Sequence, residues 1–223
     1  MDLLDWHGAQ RPERVTLQGQ YTRLEPLSFA RHGEQLFESA REPGADDRFR
    51  YLPDGTPADY PGFGAWMEKS ETSADPMFSA VIDMRTGRAE GRQALMRIDA
   101  ANGVVEIGNI LWGPAIARSR VTTEALFLAA QYVFDTLGCR RFEWKCNDLN
   151  EPSKRAAERF GFVFEGVFRK HMVVKGLNRD TAWYAMTDDD WAAVKPAYVA
   201  WLAPGNFDAD GKQRTKLETG RAS

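Results

Sequence analysis

Apolar residues recur at two different periods along this chain, and the switches between them mark out its elements. Short apolar runs at 15–17 and 21–24, parted by Gly19, predict two short strands. Ser28 then stands where it can cap a helix running to Ser39, with Phe29, Leu36 and Phe37 on its apolar side. Residues 42–64 are dense in Pro, Gly and Asp, which predicts a long connection of the functional kind. Trp66 and Met67 start a short amphipathic helix. Residues 77–84, 92–98 and 104–111 read as strands joined by tight turns at 85–87 and 99–103, spacings that favour antiparallel hairpins.

From Thr122 the period becomes helical: Val121, Ala125, Leu128, Ala129, Tyr132, Val133 and Leu137 share a face, and Gly138 follows as a stop. Charged residues alternate with Phe142, Trp144 and Cys146 over 141–146, the pattern of a half-buried strand. Asn150 caps a predicted helix over 151–160 that tolerates Pro152 in its first turn and ends at Gly161. Residues 162–175 and 179–187 predict a long hairpin around Gly176, Leu177 and Asn178, and 191–202 a closing helix. The ends are polar, so 1–14 reads as an arm and 204–223 as a tail that is either flexible or paired elsewhere, around one domain, 15–203, with no internal repeat or linker.

Composition narrows the function. Of 223 residues, 43% are hydrophobic, enough for a substantial core, and 29 Lys and Arg against 32 Asp and Glu give a net charge of -3. That balance argues against a protein whose main partner is nucleic acid or anionic membrane. No apolar run is long enough to span a bilayer and the start has no signal-peptide pattern, so a cytoplasmic protein is expected. With two cysteines, Cys139 and Cys146, there is neither a disulfide framework nor a zinc signature, and neither cysteine has a His nearby to make it a nucleophile. His7, His32 and His171 are scattered, so no metal site is expected.

Two windows carry candidate chemistry. In the first, a strand runs through Trp112, Gly113 and Pro114 into a basic turn with Arg118 and Arg120 and then into the helix beginning near Thr122. Unpaired amides at a helix start, with two cations beside them, make a candidate anion site; the plain alternative is that Thr122 or Thr123 caps the helix and the arginines are solvated. In the second, Asn150 and Ser153 open a helix, which taken alone is capping chemistry.

The order of elements, together with Val105-Glu106-Ile107-Gly108, Thr123-Glu124-Ala125-Leu126, Asn150 with Ser153, Arg159 through Gly166 and Val174 through Asp180, resembles the GCN5-related N-acetyltransferase (GNAT) superfamily over residues 15–190. Within it the likeness is to the branch with the ribosomal-protein alanine acetyltransferases. The resemblance implies an α/β domain with a mixed, mostly antiparallel, splayed sheet flanked by helices. It also implies acetyl-CoA as cosubstrate, its pyrophosphate on the turn before the Thr122 helix and its pantetheine arm along the strand from Glu106 to Trp112. The cosubstrate contacts it implies are Leu111, Trp112, Arg118, Ser119, Arg120, Val121, Thr122, Thr123 and Asn150. The family's phosphate loop usually reads Arg/Gln-x-x-Gly-x-Gly/Ala, whereas the matching positions here hold Ala117, Arg120 and Thr122, so side chains stand where small residues are usual.

On this reading Glu106 is the candidate base, taking a proton from the amine through water; its alternative is a strand carboxylate paired with an arginine. Ser153 is the candidate for hydrogen bonding the departing sulfur, because the position seven after Asn150, where many family members have a Tyr, is Ala157. A backbone N–H near 109–111 would meet the oxyanion. The acceptor is an amine, either a protein N-terminus or a small amine, polyamine or antibiotic, approached through a cleft between 42–64, the Trp66 helix and the 162–187 hairpin. A module that binds CoA or protein but has lost transfer chemistry is the reading from another class, and a homodimer is an allowed state.

Overall fold

The computed structural model describes residues 3–220. Eight strands form one sheet in the order β1-β2-β3-β4-β5-β6-β8-β7, from Leu17–Gln18 (β1), Thr22–Pro26 (β2), Met77–Asp83 (β3), Arg88–Asp99 (β4), Val104–Trp112 (β5), Arg141–Asn147 (β6), Val163–Val174 (β7) and Leu177–Thr187 (β8). All neighbours are antiparallel except β5 and β6, because the chain crosses over between those two through a helix rather than a hairpin. The result is the expected mixed, mostly antiparallel α/β domain.

Helices cover both faces. The helix α1, Phe29–Arg41, and the helix α3, Tyr60–Thr72, pack Leu36, Phe63 and Met67 on Phe78, Ala80 and Ala94. On the other face α4, Arg120–Gln131, brings Val121, Ala125 and Leu126 onto Val81, Val105 and Ile107. Joined to α4 is a π-helical turn, Tyr132–Thr136, so the helical pattern breaks shortly before Gly138. The helices α5, Glu151–Arg159, and α6, Asp188–Leu202, complete that layer.

Several boundaries differ from the sequence reading, each for a local reason. The connection 42–64 is not irregular throughout: it holds a short helix α2, Ala45–Phe49, and the start of α3, capped by Asp59 accepting from Gly62 N at 2.7 Å. Ser28 occupies the N-cap position of α1, but its side chain makes no capping bond. Residue Thr187 starts α6 through a capping box with Asp190, which moves the start three residues ahead of Trp191. The tail is not free: Phe207 and Leu217 are buried, Trp201 Nε1 donates to Thr215 O at 3.0 Å, and Asn206 binds Thr215. Nor is the N-terminal arm loose, since Trp6 Nε1 donates to Ala101 O at 2.7 Å and Gln10 N to Leu137 O at 2.8 Å.

What positions a site is a fork in the sheet. Strands β5 and β6 pair only from Val104 with Arg141 to Ile107 with Trp144; beyond that β5 stays with β4 and β6 with β8. Just past the fork, the register with β4 jumps from Ala94–Gly108 to Arg92–Leu111, which inserts one extra residue into β5. Asn109 absorbs it at φ 50°, a left-handed conformation that Asn tolerates better than most residues.

Candidate active site

The cap of α4 is neither of the threonines that the sequence offered. Ser119 is the cap: its Oγ accepts from Val121 N at 3.1 Å and donates to Ile116 O at 2.6 Å. Thr122 and Thr123 are buried and donate their hydroxyls back to Ser119 O, each at 3.1 Å, so they do not cap. Arg118 takes a left-handed φ of 58° and leaves its side chain exposed. Among the described residues, the amides of Arg118, Arg120 and Thr122 have no hydrogen-bond partner. Free amides on a left-handed turn at a helix start form a concavity suited to an anion, so the residues present fit a pyrophosphate even with side chains at Ala117, Arg120 and Thr122.

The Arg120 side chain is not freely solvated. Its guanidinium lies 4.4 Å from the Tyr21 ring centre and 5.3 Å from that of Phe207, held there by the folded tail. Arg120→Ala is therefore expected to cost about 1–2 kcal/mol of stability through lost stacking, while CoA affinity changes less than twofold. Thermal melting and calorimetric titration of the same sample check this. Arg118→Ala should show the reverse, with an affinity loss that fades at high salt. Another cation lies beside this end: Arg159, half-buried at the end of α5, donates from Nη1 to Thr123 Oγ1 at 3.2 Å, lies 5.1 Å from the Phe160 ring centre and 5.3 Å from that of Trp201, and has no carboxylate partner among the described residues. Burial lowers its pKa. Arg159 belongs to the stretch that carries the family resemblance, but only the packing of α5 against α4 brings it here.

At the fork, Asn150 caps α5 by accepting from Ser153 N at 3.3 Å. Ser153 Oγ accepts from the Trp144 indole N–H at 3.0 Å, and Trp144 is the last β6 residue paired with β5. The Ser153 hydroxyl is thereby held at the mouth of the fork. Ala157 is fully buried and supplies no polar group. Neither cysteine is poised for nucleophilic chemistry: burial pushes the Cys139 thiol up to about 11, and it raises Cys146 against the opposing Ser153 hydrogen bond.

Glu106 lies on the face of β5 opposite Val105 and Ile107, with 4% of its side chain exposed. Its Oε2 accepts from Arg97 Nη1 at 2.7 Å and faces Lys145 Nζ at 3.1 Å; Lys145 also pairs with Glu143 and lies over the Trp183 ring. Oε1 has no partner among the described residues and points along β5 toward Gly108, where a Cβ would stand 3.3 Å from it. One oxygen is thus pinned by two cations and the other is free. The cleft walls also meet: Tyr51 OH donates to Leu149 O at 3.2 Å, and Lys175 Nζ to Phe49 O at 2.9 Å. These contacts close the 42–64 connection against the start of α5 and the tip of the β7–β8 hairpin.

Residues 23–163 match the acetyltransferase (GNAT) domain family. The chain belongs to the GNAT acetyltransferases. This family uses acetyl-CoA as cosubstrate. A GCN5-related N-acetyltransferase of known structure from Brucella melitensis is 55% identical, with 96% of both chains covered and a TM-score of 0.94. Another GNAT-family structure, described as a probable acetyltransferase from Chromobacterium violaceum ATCC 12472, is 36% identical over 86% of this chain and 96% of its own, with a TM-score of 0.80. The Bacillus subtilis (strain 168) protein named "Putative ribosomal N-acetyltransferase YdaF" is 28% identical over 105 residues, 47% of this chain and 57% of that one. Across the described residues, no helix is long and apolar enough to cross a membrane, and no group of three or more His, Cys, Asp or Glu is arranged to hold a metal ion.

Proposed function

We propose that this protein transfers the acetyl group of acetyl-CoA directly to a primary amine in a ternary complex, and that the amine is a protein N-terminal α-amino group. The observation that carries the reading is the fork between β5 and β6, with the Asn109 bulge on one arm and the free amides of α4 beside it. Acetyl-CoA supplies an activated thioester carbonyl. The loop amides of Arg118, Arg120 and Thr122, with the Arg118 side chain, hold its pyrophosphate, and Leu111, Trp112 and Asn150 line the path of the arm. Backbone released from the ladder at Asn109 and Ile110 receives the developing oxyanion. Glu106 Oε1 takes the amine's proton through water while Arg97 and Lys145 keep the carboxylate in place. Ser153, oriented by Trp144, donates to the departing sulfur.

An α-amino group has a pKa near 8, against about 10.4 for lysine, so a larger share of it is neutral near pH 7 and a single carboxylate base suffices to take up its proton. The likeness to a protein named as a ribosomal N-acetyltransferase favours a protein acceptor over a small free amine. A cytoplasmic location goes with this reading, both cysteines being free thiols.

CoA at about 100 times its dissociation constant is expected to stabilise the fold by roughly 2.7 kcal/mol. Calorimetry and thermal shift measure it, and an absence of both signals rejects the reading. Mass spectrometry over peptides with free N-termini, polyamines and aminoglycosides then reports the acceptor. Binding of CoA with no transfer to any of them would leave a CoA-binding module instead.

A further inference from the structure

Between α3 and the side of the sheet opposite α4 lies an open cavity of about 350 Å³, lined by Asp54, Trp66, Lys69, Ser70, Arg92 and Asn109 among others. It shares the bulge residue Asn109 with the proposed transfer site and lies on the same side of the sheet as Glu106, since Arg92, Ala94 and Met96 alternate along β4 and Met96 pairs with Glu106. Arg92 is buried, 4% of its side chain being exposed, and stacks 4.1 Å over the Trp66 ring. Its Nη2 donates to Asp54 Oδ2 at 2.6 Å, while its Nε is buried without a partner. A buried guanidinium with one carboxylate and unused donors is an expensive device for stability alone. Here it fixes one oxygen of Asp54, whose side chain is 26% exposed; the other oxygen, Oδ1, has no partner among the described residues.

We propose that this cavity is the acceptor subsite, in which Asp54 Oδ1 accepts N–H from the incoming amine and Arg92 is the positioning residue that sets the carboxylate. The inference rests on the transfer reading above and names what holds its acceptor. Ser70 and Ser73 supply further polar lining, and Trp66 and Phe78 give the cavity apolar wall for a small side chain. Lys69, exposed at its edge with no carboxylate in salt-bridge distance among the described residues, sets the selectivity. A polyamine would carry a second cation toward Lys69, whereas an amino-terminal residue would offer it a neutral carbonyl or an acidic side chain. The subsite therefore favours a single amine followed by a peptide group over a polycation.

The test uses CoA-loaded protein and three probes: L-alaninamide as a stand-in for an amino terminus, N-acetyl-L-alaninamide, which has lost the basic amine, and spermidine. NMR titration reads their affinities, and calorimetry reads CoA affinity in parallel. Alaninamide is expected to bind better than the other two. Asp54→Asn should weaken alaninamide at least tenfold and leave CoA affinity unchanged, because Arg92 claims the remaining oxygen and turns the new amide's N–H toward the amine. Asp54→Glu should recover part of the loss, and Lys69→Glu should bring spermidine up at least tenfold. Equal alaninamide affinity in wild type and Asp54→Asn overturns the assignment, as does preference of the wild type for spermidine. Failure of CoA itself to bind the wild type would instead overturn the transfer reading.

Discussion

Replacing Glu124 with Ala is expected to lower stability by about 4 kcal/mol, from the loss of charge-assisted hydrogen bonds to backbone that then has no substitute partner. Glu124 is buried in the first turns of α4, and its carboxylate accepts from Gln20 N at 2.9 Å, Tyr21 N at 2.6 Å and Thr22 N at 2.7 Å. It fastens the β1–β2 turn to the start of α4. Gly19 is part of the same fit, since a Cβ there would run into the Glu124 carboxylate. For a domain of this size the loss corresponds to roughly 8–16 °C in melting temperature. Glu124→Gln keeps one oxygen and should lose about half as much. A melting temperature for Glu124→Ala within a degree or two of wild type would show that the carboxylate does not hold the turn.

Turnover should fall by about 10²–10⁴ in Glu106→Gln, the range of a lost general base. The sign of its pH dependence follows from the acceptor. Below the amine pKa, near 8 for an α-amino group, most acceptor is protonated and the base is needed; above it the free amine attacks unaided. The defect should therefore be deepest at low pH and shrink as pH rises. Lys145 keeps Glu143 when Glu106 is neutralised, so the variant should remain folded. Ser153→Ala should differ by slowing turnover by a similar factor at every pH with little change in acetyl-CoA affinity, because its hydrogen bond forms in the transition state. A pH–rate profile unchanged in Glu106→Gln would remove Glu106 as base and leave its free oxygen without a role.

The strands and helices were legible where one face is buried, because burial imposes a period of two or of about three and a half on the residues themselves. Strand β6 alternates Phe142, Trp144 and Cys146 inward with Arg141, Glu143 and Lys145 on the other side, and that pattern is visible in the sequence itself. Asn150 reads as a cap because capping is local: it binds a residue three positions on. Starts set by less local chemistry were misplaced. Ser119 looks no more like a cap than Thr122 or Thr123, and the turn's hydrogen bonds to Gly113 and Ile116 decide among them.

Sequence alone determined the family resemblance and the order of elements, since these rest on residues near one another in the chain or on a periodic pattern, and through that resemblance it named the turn before α4, Glu106 and Ser153 as candidates. Tertiary structure alone decided which charges meet. It turned Arg120 away onto Tyr21 and Phe207 and brought Arg159 from α5 to Thr123 on α4, a contact across 36 positions. Arg97 and Lys145 converge on one oxygen of Glu106, and Asp54 comes from a connection without periodic pattern to a buried arginine 38 positions away. Such pairings leave no mark in local spacing, because a charged side chain has no preferred period and its energy depends on distance and burial, which only the packed sheet and helices define.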